Sequence, residues 1–321
     1  LIVYDEAHRS FYDRNNDVLK YFDAIKIGLT ATPREKGQTT YELFGCESGK
    51  PTYKYDYNSA VDNEDLVPYS AEVIETKILS LGIEGKKLSK ELKFKLQKQE
   101  ENPEEFQTPG ARFEKLFTDA KTNELIVREF MDRCYKTDDL VPCKTIFFCA
   151  SVKHAEALEE IFQRLYPKLA KEVKVITSDR TRYMDEVRRF KKNSSPRIAL
   201  SVGVLDTGID VPEIMNLVFV KPVFSYIRFW QMLGRGTRNL KACYGRGRHP
   251  EWLPQRDGSP VKDNFLILDF KFGDHSNVEY HELDRTRAKS DLISAKERIF
   301  LEQVELLNKK LSENEKTIIE K

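Results

Sequence analysis

Four short stretches carry the residues that could do chemistry. Asp5 and Glu6 stand together directly after the apolar run Leu1-Ile2-Val3-Tyr4, and Ala7 and His8 follow them. A strand ending in two adjacent carboxylates places them at the carboxyl edge of a parallel sheet, where ligands bind in open α/β folds. Such a pair suits hydrolysis of a nucleoside triphosphate: one acid holds Mg²⁺ through its water shell and the next polarises the attacking water. A second apolar run, Ala24 to Thr30, leads into Gly28-Leu29-Thr30-Ala31-Thr32-Pro33, whose two hydroxyls suit a hydrogen-bonded switch that reports the state of a nucleotide site. Further on, Ser201-Val202-Gly203-Val204-Leu205-Asp206-Thr207-Gly208-Ile209-Asp210-Val211-Pro212 ends a strand in a glycine-containing turn, as needed where backbone approaches phosphate or ribose. In Gln231-Met232-Leu233-Gly234-Arg235-Gly236-Thr237-Arg238, the two arginines are three apart, so on one helical turn they share a face and reach a single phosphate group together.

The elements that must position these residues follow from periodicity. Strands are expected at residues 1–4, 24–30, 71–74, 145–149, 173–176, 198–202, 217–220 and 265–268. Helices are expected at 123–135, 153–169, 182–192 and 227–233. Nearly continuous Val/Ile/Phe runs separated by helices predict a parallel sheet covered on both faces, an open doubly wound α/β domain over roughly residues 112–272. Residues 84–105 hold six Lys and six Glu with few apolar positions and read as a solvated helix or linker. Phe300, Val304, Leu307, Leu311 and Ile318 space an amphipathic C-terminal helix, expected to pack on the chain's own body. A four-residue strand at the very start needs pairing neighbours, so the chain is expected to be a piece of a longer protein.

Composition excludes several classes. With 53 Lys and Arg against 52 Asp and Glu, the net charge is +1, which rules out a uniformly basic nucleic-acid coat. The stretch from Lys221 to Arg256 departs from that balance, with eight basic residues against the single acid Glu251. No apolar run approaches the roughly 20 residues of a membrane-spanning helix, so no membrane partner is expected. Five cysteines without a C-x-x-C pair point to reduced thiols and a cytoplasmic location.

Each stretch alone fits an ordinary strand end or a solvated basic face. Taken in order, DEAH, TATP, TGIDVP and QMLGRGTR resemble motifs II, III, V and VI of the superfamily 2 helicases and translocases, whose two RecA-like domains clamp ATP between them. DEAHRS, LTATP and LDTGIDVPEI followed by QMLGRGTR resemble the motor portion of type I restriction enzyme R subunits. The resemblance spans residues 1–272. It implies a RecA-like doubly wound parallel sheet with a complete second motor domain, a truncated first one and a C-terminal helical segment. The corresponding division is 1–68 for the end of the first motor domain, 69–111 for a strand and charged linker, 112–285 for the second motor domain and 286–321 for the terminal helix.

The resemblance also implies roles. Asp5 would coordinate Mg²⁺ and Glu6 would act as general base, with His8 a link between motifs or a nucleotide contact. Thr30 and Thr32 would couple hydrolysis to nucleic-acid grip. Gly208 and Asp210 would line the ATP cleft, while Gln231, Arg235 and Arg238 would face the triphosphate, Arg238 as arginine finger. Ser151 and Ser201 would touch the nucleic-acid backbone. ATP and Mg²⁺ are the implied ligands, and duplex DNA with the modification and specificity subunits of a restriction complex are the implied partners. The sequence departs from the family in lacking a G-x-x-x-x-G-K-[ST] loop, since the stretch Gly45 to Thr52 is one residue short and carries Pro51 where Ser or Thr would hold the metal. On that ground the 321 residues alone are expected to be inactive as an ATPase. Glu75-Thr76-Lys77 matches half of a nuclease D…E-x-K site, without a partner acid. Alternatives are a repair or RNA helicase of the same superfamily, or a non-catalytic nucleic-acid or subunit-binding module.

Overall fold

The computed structural model describes residues 1–7, 21–31, 33, 39–47, 50–75, 119–206, 209–244, 248–271 and 275–281. The expected linker at 84–105, the C-terminal helix at 286–321, and His8, Thr32 and Gly208 lie outside them. Strands β1 (Ile2–Tyr4) and β2 (Lys26–Gly28) pair in parallel, with Val3 opposite Ile27. Two short helices follow. α1 (Thr40–Leu43) is closed by a capping box between Thr39 and Glu42, and α2 (Tyr57–Asp62) starts at the N-cap Asp56.

The main body runs β3 (Tyr69–Ile74), α3 (Ala120–Arg133), β4 (Lys144–Phe148), α4 (Val152–Leu165), β5 (Val173–Thr177), α5 (Tyr183–Lys192), β6 (Ile198–Val202), β7 (Ile214–Phe219), α6 (Tyr226–Leu233), a small hairpin of β8 (Gln255–Arg256) and β9 (Ser259–Pro260), β10 (Phe265–Phe270) and α7 (Asn277–Tyr280). Six strands form one all-parallel sheet in the order β3-β10-β7-β4-β6-β5. Strand alternation divides the core in two. Phe147, Leu200, Val218 and Leu266 point to the face covered by α3 and α4, where Phe147 lies edge-on to Phe130 and Phe162 at ring distances of 4.8 and 5.9 Å. Ile146, Phe148, Ala199, Phe219 and Ile267 point to the face covered by α5 and α6, where Phe219 bridges Phe148 and Phe229. Helices on both faces make this the doubly wound parallel sheet that the patterning predicts, in the RecA-like form that the resemblance implies.

Three details differ from the expectation. The strand at 69–74 joins the main sheet as its edge, pairing with the last strand β10 in the register Tyr69 opposite Phe265. β7 begins three residues earlier than its apolar run because buried Asn216 is absorbed into it: its amide exchanges hydrogen bonds with the Tyr135 backbone and donates to Thr145 Oγ1. β10 runs on through Asp269, whose buried carboxylate accepts from Ser276 Oγ, Asn277 Nδ2 and Val278 N at 2.8–2.9 Å. Among the described residues no helix is long and apolar enough to cross a membrane. All five cysteines are free thiols, and burial pushes those of Cys134 and Cys143 up to about 12, which leaves them unreactive.

Candidate active site

Parallel pairing of β1 with β2 sets the acids and the Thr30 turn side by side. The ladder continues past the strands, with Leu29 N donating to Tyr4 O and Ala7 N to Leu29 O. Gly28 is required here by packing: a Cβ would lie 2.7 Å from the Phe44 ring, which itself lies edge-on to Tyr4. Glu6 adopts a left-handed backbone conformation, φ 51°, uncommon for a residue with a side chain. Its N–H donates to Asp5 Oδ1 at 2.9 Å, and both carboxylates are exposed beyond the end of the strand.

The opposite wall is α6 and the turns after it. Ser225 caps the helix by accepting from Arg228 N. Gln231, on its buried side, donates from Nε2 to Glu6 Oε2 at 3.4 Å across 225 residues of sequence. The helix ends at Leu233, so Arg235 and Arg238 stand beyond it, in tightened turns, and not on one helical turn as expected. Gly236 makes that path possible, because a Cβ there would lie 2.3 Å from the Phe265 ring. Both arginines nevertheless converge on the loop before β7. Arg235 Nη1 donates to Ile209 O, and Arg238 Nε donates to Asp210 Oδ1 at 3.3 Å. Burial lowers the Arg235 pKa from its ordinary value and Arg238 adds to this, while Glu6, Asp210 and Asp206 act against it. Arg235 Nε is buried with no hydrogen-bond partner among the described residues.

The backbone of this turn is held from behind. Val67 N donates to Thr237 O, Asn239 Nδ2 donates to Glu64 O, and Leu66 bridges Arg238. Tyr57, whose hydroxyl donates to Val67 O, packs between Tyr69 and Trp230 of α6. The segment joining the two sheets is therefore fastened to the residues that carry the arginines.

The two predicted serines hold backbone. Ser151 caps α4 by accepting from His154 N and is partly exposed. Ser201 is fully buried and accepts from Leu205 N, so in this conformation it presents no surface to a nucleic-acid backbone. Sequence reading passed over Asp206, buried in a triad with Arg228 at 2.8 Å and Lys221 at 3.6 Å. It also passed over Arg248, which binds Asp210 at 2.7 Å. The signal for both was the excess of basic residues after Lys221, which a charge count cannot resolve into individual pairs. Glu75, from the half-matched nuclease motif, pairs with Lys271 at 3.7 Å.

The assembly of two guanidinium groups, a side-chain amide and one carboxylate at a single seam suits a polyanion that must be hydrolysed. The half-exposed Arg238, whose terminal nitrogens have no partner among the described residues, leaves donors for phosphoryl oxygens. Asp5 is exposed and, among the described residues, accepts only its neighbour's N–H, which fits a carboxylate holding Mg²⁺ through water. Among the described residues no three His, Cys, Asp or Glu side chains gather as a metal cage, so the triphosphate and water would complete the metal's shell.

Comparison with known proteins identifies relatives of both parts of the chain. Residues 1–105 match the SWI2/SNF2 ATPase family and residues 127–239 the helicase conserved C-terminal domain. The chain is 30% identical over 272 residues to the type I restriction enzyme EcoKI endonuclease subunit of Escherichia coli K12, covering 74% of this chain and 22% of that protein. It is 29% identical over 288 residues to the EcoAI endonuclease subunit of Escherichia coli, covering 84% of this chain and 31% of the relative. It thus spans less than a third of either curated relative. A solved fragment of an HsdR-type subunit of a type I restriction enzyme from Vibrio vulnificus YJ016 superposes with a TM-score of 0.56 and 26% identity, over 84% of this chain and 44% of the fragment. With the parallel sheet, the motif order and the acid-to-arginine seam, these matches place the chain among the superfamily 2 helicases and translocases, as a motor fragment related to type I restriction enzyme R subunits.

Proposed function

We propose that the chain is the motor portion of an ATP-dependent translocase acting on duplex DNA, the R subunit of a type I restriction system that works in the cytoplasm with modification and specificity subunits. The observation that carries this reading is the Gln231–Glu6 hydrogen bond, which joins the acid edge of one sheet to the arginine turn of the other. In this reading residues 1–68 belong to the first motor domain and 112–285 to the second, 69–111 connect the two with Tyr69–Ile74 as an edge strand, and 286–321 follow the second.

Glu6 takes the proton of the attacking water, and Gln231 orients its carboxylate. Arg235 and Arg238 meet the negative charge that develops on the transferred phosphoryl group, Arg238 from the more exposed position. Asp210 stands beside Arg238, and Gly208 of the same motif is assigned to nucleotide binding with it. Mg²⁺, held through water by Asp5, would offset charge on the terminal phosphates. Thr30, on the turn beside the acids, relays the nucleotide state to the nucleic-acid side, a role Thr32 shares by its motif; there Ser151 offers a partly exposed hydroxyl and Ser201 acts by shaping its loop. The 321 residues hold no phosphate-cradling G-x-x-x-x-G-K-[ST] loop, so by themselves they are inactive as an ATPase.

DNA-stimulated ATP hydrolysis by the full-length protein tests the reading. Glu6→Gln is expected to lower the rate by roughly 100-fold or more, as loss of a general base does. A wild-type rate in that variant would overturn it. Turnover by the 321 residues alone, abolished by the same substitution, would overturn the statement about the missing loop.

A further inference from the structure

We propose that Arg248 is a positioning residue for Arg238, acting through the carboxylate they share, that of Asp210; the proposal rests on the ATPase reading above. Arg248 donates from Nη2 to Asp210 Oδ2 at 2.7 Å and from Nη1 to the Asp210 carbonyl at 2.9 Å. Arg238 reaches the other carboxylate oxygen, Oδ1, through Nε at 3.3 Å. The two arginines are therefore unequal. Arg248 commits both terminal nitrogens to one residue and its side chain is 23% exposed; Arg238 commits neither among the described residues and is 50% exposed. A phosphoryl group is held by the terminal nitrogens of the guanidinium fork. Arg238 is thus the one with donors to present, and Arg248 is the fixed post.

The post is well anchored. The next backbone N–H, that of His249, donates to Glu213 Oε1 at 2.7 Å, and Glu213 is fully buried. The His249 ring lies flat on buried Trp252 at 4.0 Å. A half-exposed Asp–Arg pair at 3.3 Å holds geometry weakly when left to itself. Gripping Asp210 by both its carbonyl and one carboxylate oxygen fixes the carboxylate plane, so Oδ1 accepts Arg238 Nε from one direction. Charge balance matters as well. One anion shared between two guanidinium groups leaves a net positive charge, so Asp210 orients Arg238 without cancelling what it offers to phosphate.

Steady-state ATP hydrolysis by the full-length protein on DNA, in Arg248→Ala, Arg248→Lys, Arg238→Ala and the double alanine variant, tests this. Arg238→Ala is expected to lower kcat by about 1000-fold, the scale of an arginine finger. Arg248→Ala is expected to lower kcat on the order of 10-fold with KM for ATP within about 2-fold, as for a misplaced catalytic group with binding intact. The double variant is expected to be no slower than Arg238→Ala, because nothing is left to position. Arg248→Lys keeps length and charge but cannot make the two-point grip, so it too should lose kcat, and it carries the test if the alanine variant folds poorly. An unchanged kcat in both Arg248 variants, or a double variant slowed by the product of the single effects, would overturn the proposal. Wild-type rates in both Arg238→Ala and Glu6→Gln form a separate pattern that would remove the ATPase reading and this proposal with it.

Discussion

Asp206 and Asp210 sit on the same loop and each faces two cations, yet the Asp206 side chain is 2% exposed and that of Asp210 is 49% exposed. Asp206 receives Arg228 through Nε and Nη2 and has Lys221 close by, under the N-terminal turn of α6. Burial works to raise its pKa, but Lys221 and Arg228 outweigh this and hold it below the usual carboxylate range. Asp210 lies between Arg238 and Arg248. A charge taken out of water is committed to its partners, because breaking the pair leaves an uncompensated ion. A charge that keeps half its hydration can exchange a partner for a ligand at little cost. Burial, more than residue type, separates the acid that holds Arg228 of α6 from the acid shared by Arg238 and Arg248.

The comparison breaks most sharply at Asp206. Asp206→Ala is expected to cost about 3 kcal/mol of unfolding free energy by taking the shared carboxylate from Arg228 and Lys221, read as a lower denaturant midpoint at unchanged slope. The pH dependence has a definite sign. The folded-state pKa of Asp206 is depressed, so its contribution is present above the ordinary carboxylate pKa and is lost as pH falls through the folded value. A variant as stable as the parent would mean that the triad is not structural.

His281 sharpens the picture from the other side of α6. Its ring stacks on Phe229 at 4.4 Å and its Nε2 lies 2.9 Å from Val223 O, and burial pushes its pKa down from 6.5 to about 4. The unfolded chain therefore binds the proton first. Stability should be level above about pH 6.5 and fall between there and pH 4 by on the order of 2–3 kcal/mol for this residue. His154, pushed by burial down to about 3, adds a second loss in the same direction. In His281→Gln the slope of stability against pH over that window should shrink, which denaturant unfolding at stepped pH measures. An unchanged slope would remove His281 as the titrating group.

Much of this was legible in the residue order. Continuous apolar runs located the strands of both sheets, and the resemblance singled out Glu6, Gln231, Arg235, Arg238 and Asp210, which the structure places near one another. What escaped has a common physical cause: polar side chains used inside the structure look the same in sequence as polar side chains in water. Asn216 and Asp269 made β7 and β10 seem shorter than they are, since their amide and carboxylate are satisfied by backbone and side-chain partners far along the chain. Ser201, which the resemblance offers to a nucleic-acid backbone, has its hydroxyl engaged in a buried turn that no sequence pattern announces. Strand 69–74 was recognisable as a strand, but its place beside β10 depends on pairing across nearly 200 residues, which no local pattern encodes.

The smallest stability effect is expected where the functional effect is large. Asp210→Asn removes the charge between Arg238 and Arg248, both ion pairs being substantially hydrated, so unfolding free energy should change by about 1 kcal/mol or less. An asparagine keeps a carbonyl oxygen for one arginine and turns an N–H₂ toward the other, so Arg238 and Arg248 can no longer be held by one group at once. Turnover in the full-length protein should therefore fall while the denaturant midpoint hardly moves, the reverse of what Asp206→Ala does. If Asp210→Asn instead unfolds the protein as readily as Asp206→Ala, exposure is not what divides the two acids. The arginine turn would then depend on Asp210 for its fold as well as for the direction in which Arg238 points.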